Sequence, residues 1–421
     1  MVPPRPRRLA GPFGFTLIEL LVTLAIVGVV LSITTSALLG FQQLTNRSHL
    51  QRQATAVGRD ATAFVEKSLR LAGYGIDPAL AFDFNVYRGN GARCLGVGGV
   101  TSNGCLGTRD QTVGPDELVF YARNPEYWGE QLNDEPEGRA WRVLGATAGA
   151  VRIQSHGGER FPKGQVLQIV CPQAAAIAYV ELAVSVDVPD PGAGAIGPAV
   201  DLRVETPEMG NPYRQSAVVA GTPCLTDGLA RAFFVDRFRY FVAERVLGLG
   251  AAPTPFLMLD QGVDRNGDDA IDDADLVAVA QDVVDLQVAY VRPEASATLL
   301  RAAGASAPLT FCTSANPRTP GSCANGLRIM DFVSFGAHRY DLFTYFTQQS
   351  SNRLRESPDA PNITAVHVSI VTRSQSRTLT IHDQPRVLNL TSRPPAQPRV
   401  FKAVEVVVPT PNLQAHALSY Y

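Results

Sequence analysis

The chain has 421 residues, 45% of them hydrophobic and 18% charged, with a formal net charge of −2. That composition fits a globular protein and argues against a disordered tail, and the lack of a basic surplus argues against nucleic acid as the main partner. At this length one large or two smaller globular units are expected, and the 36 Gly and 30 Pro point to a loop-rich, strand-rich body.

Residues 1–14 form a short leader whose only charges are Arg5, Arg7 and Arg8. From Phe15 an apolar run about twenty residues long reads as a membrane-spanning helix. Glu19 sits near its start, where a carboxylate is costly in hydrocarbon unless it finds a partner. A secretory signal peptide is cut after its apolar segment, at small residues. Here the candidate site, between Gly14 and Phe15, comes before it. Cleavage there removes the basic leader and leaves the Phe15 amine one helical turn from Glu19. In an assembled bundle a neighbouring subunit's Glu19 can pair with that amine, which offsets the cost of burying the carboxylate.

The contiguous stretch Gly14-Phe15-Thr16-Leu17-Ile18-Glu19-Leu20-Leu21-Val22 resembles the class III signal of type IV pilins and pseudopilins. The resemblance implies that a prepilin peptidase cuts after Gly14 and methylates Phe15, and that Glu19 is the assembly carboxylate. The competing reading is a signal anchor carrying a chance Glu.

The helix is expected to continue past the apolar run. No Pro occurs between Phe41 and Leu71, and apolar residues recur with helical spacing at Leu50, Ala54, Val57, Ala61, Phe64 and Val65. One helix from Phe15 to about Ala72 would be about 85 Å long at 1.5 Å per residue. Residues 15–40 would form its transmembrane half and residues 41–72 its amphipathic half. Gly73-Tyr74-Gly75-Ile76-Asp77-Pro78 ends it.

Residues 73–421 then read as a β-rich, mainly antiparallel body of one or two subdomains, giving an α+β fold. Strands are expected at Glu117–Ala122, Trp141–Leu144, Val151–Gln154, Gln165–Val170, Ile177–Val186, Ala199–Val204, Ala230–Ala243, Val283–Val291, Ala365–Thr372, Arg377–Ile381 and Val400–Val408. Gly-, Pro- and Asp-rich segments such as Pro189-Asp190-Pro191-Gly192 separate them. Several segments also resemble the minor-pilin family called PilW. They are Arg70-Leu71-Ala72-Gly73-Tyr74-Gly75 at the helix end, Asp282–Tyr290 as a central strand, and Ala365–Arg373 followed by Arg399-Val400-Phe401-Lys402 near the C-terminus.

The six cysteines, Cys94, Cys105, Cys171, Cys224, Cys312 and Cys323, allow fifteen pairings. The leader implies export to an oxidising compartment, where disulfides persist. The expected bridges are Cys94–Cys105 and Cys312–Cys323, which share one spacing, and Cys171–Cys224. Zinc is the competing reading, but no pair has short metal-ligand spacing and no histidine lies close by.

Residues 264–275, Asp-Arg-Asn-Gly-Asp-Asp-Ala-Ile-Asp-Asp-Ala-Asp, follow the spacing of an EF-hand calcium loop. Asp264, Asn266 and Asp268 would supply side-chain oxygens and Ala270 its carbonyl. Asp272 would bind directly or through water, and Asp275 would close the shell. Asp269 replaces the usual turn Gly, Asp275 is shorter than the usual Glu, and the flanks read as strands rather than helices. A solvated acidic turn is the alternative.

No enzyme signature is found. The six histidines are dispersed, and neither Gly-x-Ser-x-Gly nor His-Glu-x-x-His occurs. The expectation is a non-catalytic minor pilin of PilW type that takes part in pilus assembly or priming at the tip. Its expected partners are the prepilin peptidase, other minor pilins, the major pilin, the inner-membrane assembly machinery and the membrane itself. Its body would be periplasmic before assembly and at the pilus surface afterwards. The alternatives are a J-type pseudopilin of type II secretion and a tip adhesin or surface-binding module.

Overall fold

Helix α1 runs unbroken from Leu17 to Leu69 in a computed structural model of the protein. The structure describes residues 16–82, 115–124, 140–171, 176–192, 197–207, 213–216, 229–247, 252–293, 327–330, 363, 365–376, 384–385 and 397–414. The chain divides into two compact units, Met1–Arg52 and Gln53–Tyr421. In the first unit the described residues are almost wholly helix, and their large apolar side chains are exposed from Leu17 through Leu44.

The second unit begins with the last turns of α1. Ala54, Gly58, Ala61, Thr62, Val65, Ser68 and Leu69 are buried there, a three-four recurrence that makes one apolar stripe. The helix tightens over its final turn, where the Leu71 and Ala72 N–H groups donate to Ser68 and Leu69 carbonyls. Gly73 and Gly75 then take positive φ, 77° and 67°, and a Cβ at Gly73 would lie 2.4 Å from Leu413 Cδ2. Only glycine satisfies both the left-handed backbone and the close approach.

The strands follow in chain order: β1 Leu118–Arg123, β2 Trp141–Ala146, β3 Ala150–Gln154, β4 Arg160–Phe161, β5 Val166–Cys171, β6 Ala176–Glu181, β7 Val186–Asp187, β8 Ala199–Arg203, β9 Arg231–Arg245, β10 Thr254–Asp260, β11 Val277–Gln281, β12 Val283–Pro293, β13 Leu327–Met330, β14 Ala365–Arg373 and β15 Phe401–Pro409. A short helix, α2, covers Pro411–Gln414. The expected α+β class is what the structure shows, and the described pairings are antiparallel. The segment Arg377–Ile381, expected as a strand, lies outside the described residues.

Strand β9 is the spine of a nine-stranded sheet. Its first residues pair with β5 and β2, its middle with β1 and its end with β10. From there the sheet extends through β10 to β11 and through β2 to β3 and β8. A second, four-stranded sheet has the order β13-β12-β14-β15, and a small ribbon pairs β4 with β7. Asp282 is the single residue between β11 and β12, which belong to different sheets. It adopts φ 62°, its carboxylate accepts from Arg373 Nε at 2.9 Å, and its carbonyl accepts from the Arg373 N–H.

Strand β9 contributes to both of the two largest apolar cores among the described residues. In one, Ala61, Val65 and Leu69 of α1 pack with Phe120, Tyr240 and Leu257 of the large sheet and with Leu286, Val368 and Ile370 of the small one. Polar ties cross the same contact: Ser68 Oγ and Tyr240 Oη lie 2.7 Å apart, and Thr372 Oγ1 donates to the Ala54 carbonyl at 2.7 Å. The other core gathers strands β2, β3, β5, β6, β8 and the start of β9 around Trp141. The Trp141 ring meets Phe234 and Phe161 at 4.5 and 5.1 Å, and its Nε1–H donates to Glu159 at 2.8 Å.

Candidate functional site

The N-terminal candidate is built on a helix cap. The Thr16 N–H donates to Glu19 Oε2 at 3.0 Å, and Thr16 Oγ1 lies 2.9 Å from the same oxygen. The Glu19 N–H donates back to Thr16 Oγ1 at 3.4 Å. This is a capping box, in which residues three apart satisfy each other's exposed donors at a helix start. It explains why a helix begins here, and it leaves Glu19 Oε1 without a partner among the described residues. Gly14 and Phe15, the expected processing residues, lie outside the described residues.

Beyond the cap the helix keeps its polar groups to itself. Hydroxyls of Thr23, Thr34, Thr35, Ser36 and Thr45 each donate to the carbonyl four residues earlier, at 2.7–2.9 Å. Each hydroxyl satisfied in this way lowers the cost of placing the helix in hydrocarbon or against other apolar helices. Its 53 residues contain one window long and apolar enough to cross a membrane.

The acidic loop 264–275 joins β10 to β11, so its flanks are strands, with a 3₁₀ turn at Asp273–Asp275. Asp264 is fully buried. Its carboxylate accepts from the N–H groups of Gly267 and Asp269 at 2.7 and 3.1 Å and from Ser185 Oγ at 2.7 Å. Burial pushes this carboxyl up, but the Ser185 hydroxyl, the two N–H groups and Arg160 outweigh it and hold it below the usual carboxylate range. Asp275 ties the end of the loop to its start: its Oδ1 accepts from the Arg265 and Asn266 N–H groups and its Oδ2 from the Asp272 N–H. Asn266 and Asp268 accept only from close neighbours and are exposed. Asp269 takes φ 61° at the turn position that glycine usually fills.

Two cations from outside the loop face it. Arg160 Nη2 lies 3.4 Å from Asp264 Oδ2, and Lys163 Nζ donates to the Asp269 carbonyl at 2.8 Å. Nothing in the sequence announces these partners, because they lie about a hundred residues away and meet the loop only through sheet topology. Among the described residues no group of three or more His, Cys, Asp or Glu side chains stands ready to hold a metal. The acidic side chains are spread around the turn, with Asp264 and Asp275 already bonded to backbone donors.

Cys171, at the buried end of β5, is disulfide-bonded. The other five cysteines, Cys94, Cys105, Cys224, Cys312 and Cys323, lie outside the described residues.

Sequence reading did not find the buried charges of the body. Arg239 makes a two-point contact with Glu117, at 3.1 and 2.7 Å, and a third bond to Asp260 at 3.1 Å. Burial raises the Asp260 carboxyl, but Arg237, Arg239 and the Gly262 N–H prevail and hold it below its ordinary value. On β12, Asp285 is buried and accepts from Gln287 Nε2 at 2.9 Å, while its Oδ2 has no partner. Burial pushes the Asp285 carboxyl up to about 6, against the Gln287 and Leu286 hydrogen bonds. The alternation of polar Asp285 and Gln287 with apolar Leu286 and Val288 in β12 is the sequence signal of this second case, and it reads equally well as a solvent face.

The family model described as the prokaryotic N-terminal methylation motif matches residues 13–35. No curated protein and no solved structure matches the chain. The matched methylation motif thus coincides with the start of an apolar helix, on a chain whose described strand pairings are antiparallel.

Proposed function

We propose that the protein is a minor type IV pilin of PilW kind, cut after Gly14 by a prepilin peptidase and drawn into pilus priming at the tip. The observation that carries this reading is the joined arrangement at the N-terminus. The methylation motif at 13–35 coincides with a helix whose apolar side chains are exposed from Leu17 onward and whose Glu19 carboxylate keeps one oxygen available. Its role is assembly, not catalysis. The membrane holds the processed subunit, with Thr16 satisfying Glu19 locally. In the filament the free carboxylate oxygen accepts the Phe15 amine of a neighbouring subunit. The body is periplasmic before assembly and surface-exposed afterwards, and the disulfides Cys94–Cys105, Cys171–Cys224 and Cys312–Cys323 form in that oxidising space.

Deleting the gene and measuring pilus number and type II secretion in parallel tests the assignment. Loss of pili with normal secretion is expected. Lost secretion with normal pili would instead make the protein a pseudopilin.

A further inference from the structure

Between Glu19 and Asp60 the chain contains no acid, and its cations there are Arg47, Arg52 and Arg59, with His49 beside the first two. Arg47 and Arg52 are exposed, and neither has a hydrogen-bonding or ionic partner among the described residues. Arginines elsewhere are differently placed: Arg70 pairs with Glu66 at 2.6 Å, Arg214 with Glu181 at 2.8 Å and Arg373 with Asp282 at 2.9 Å. The first unit thus presents cations without counter-ions just where its apolar run ends.

Their spacing fits a bilayer. From Glu19 to Arg47 the helix rises about 42 Å at 1.5 Å per residue, which matches the ~40–45 Å of a bilayer with its headgroups. Arg47 therefore falls level with the phosphates of the leaflet on the body's side, and Arg52 about 7.5 Å beyond it. Five residues also turn a helix by about 140°, so the two guanidiniums point to different sides. A single acidic protein face can meet only one of them. A layer of headgroups surrounding the helix meets both, and each guanidinium offers a planar fork of donors that suits phosphate oxygens.

We propose that Arg47 and Arg52 form a collar that binds anionic phospholipid headgroups and fixes the depth of the helix before assembly. The leader arginines lie at the opposite end of the apolar run and are removed on processing, so in the mature chain this collar carries the arginines that flank it. The inference rests on residues 16–44 being a membrane-spanning helix, and the test separates the two.

The full-length protein is reconstituted into vesicles of phosphatidylcholine alone and into vesicles of equal phosphatidylcholine and phosphatidylglycerol. Flotation with the neutral vesicles reports insertion. Mild-detergent extraction from the mixed vesicles, followed by lipid analysis, reports which lipid the protein retains. Flotation is expected with both, and retained lipid should be enriched in phosphatidylglycerol by about fivefold for each arginine engaged. The pair Arg47→Gln/Arg52→Gln should still float but retain lipid near the bulk ratio, while Arg47→Lys/Arg52→Lys should keep most of the enrichment. Equal retention by the parent and the Gln pair, with normal flotation, overturns the collar and leaves the helix reading standing; an acidic protein partner would give that result. Failure to float with neutral vesicles overturns the helix reading and the collar with it.

Discussion

The bonds between Thr16 and Glu19 begin the helix, and in the proposed reading the second Glu19 oxygen takes the Phe15 amine of another subunit, so processing at Gly14 and assembly at Glu19 can be separated by mutation. Glu19→Ala should therefore still be cut by the peptidase but enter filaments poorly. Gly14→Val should accumulate uncut, because the scissile bond must pass a site that excludes a bulky side chain. Immunoblot mobility reads the first property and filament incorporation the second; normal processing of Gly14→Val would remove the basis of the leader assignment. Asp285 gives a residue-scale test inside the body. Its folded carboxyl titrates at about 6, above the ordinary 3.8, so the folded state holds a proton that the unfolded chain gives up. The sign is therefore opposite to that of a salt-bridged aspartate. Its cost to stability is absent below the unfolded value, grows as pH rises between the two, and is full above about 6. Asp285→Asn should raise the melting temperature at pH 7.5, by the equivalent of about 2–3 kcal/mol, and leave it little changed at pH 4. A gain of the same size at both pH values would show that the carboxyl is not the cause.

At the scale of elements, α1 was legible because its signal is periodic and long, with apolar spacing without Pro and a Gly-x-Gly stop; the Thr16–Glu19 capping box at its start came only with the structure. The long strands β9, β12, β14 and β15 were legible for the same reason. The expected strand at Ile177–Val186 divides into β6 and β7: the chain bends at Ala183-Val184, just after Leu182 bridges to Val204, and β7 then pairs with β4 rather than with the large sheet. Strands β4, β10, β11 and β13 were not foreseen. Two are only two or four residues long, and β10, Thr-Pro-Phe-Leu-Met-Leu-Asp, is almost continuously buried and so lacks a period-two pattern. The acidic loop was found by its oxygen spacing, but its actual supports, Arg160, Lys163 and Ser185, were invisible without the sheet. They alter how calcium binding is best tested. Asp264→Ala would remove four hydrogen bonds whether or not a cation binds, whereas Asp268 is exposed and accepts only within the loop. If residues 264–275 take calcium, millimolar calcium should raise the melting temperature of the parent and not that of Asp268→Ala. Equal responses would leave the loop as a turn held by Arg160 and Lys163. The helix–sheet contact is tested at Gly58, where a Cβ would lie 2.7 Å from Val404 Cγ2. Gly58→Val should cost about 1–3 kcal/mol from overpacking, despite the better helix propensity of Val over Gly; a melting temperature at or above the parent's would mean that α1 and β15 part easily.

For the whole molecule, the important boundary lies inside a helix rather than at its end. The second unit starts at Gln53, and its main core draws Ala61, Val65 and Leu69 from α1 together with both sheets. The last turns of the helix are thus as much part of the body as any strand, and their buried stripe begins at Ala54. Two truncations put this to the test. A protein of residues 53–421 keeps the whole buried stripe, the Ser68–Tyr240 contact and the Thr372 bond to Ala54, and the described side chains it loses are exposed except for half-buried Leu50 and Gln51. It should be soluble and melt in one cooperative transition. A protein of residues 73–421 keeps every strand but uncovers the faces of β12 and β14 that α1 had buried. Val65 and Leu69 alone account for about 3–6 kcal/mol of that burial, a large share of the 5–15 kcal/mol typical of a domain. Loss of the Ser68 hydroxyl would also leave Tyr240 buried beside an apolar gap, in a setting that already pushes its hydroxyl up to about 12. The shorter protein should therefore aggregate, or elute broadly on size exclusion and bind a hydrophobic dye. If it instead melts cooperatively near the temperature of residues 53–421, the sheets hold themselves together and the helix is only a tether.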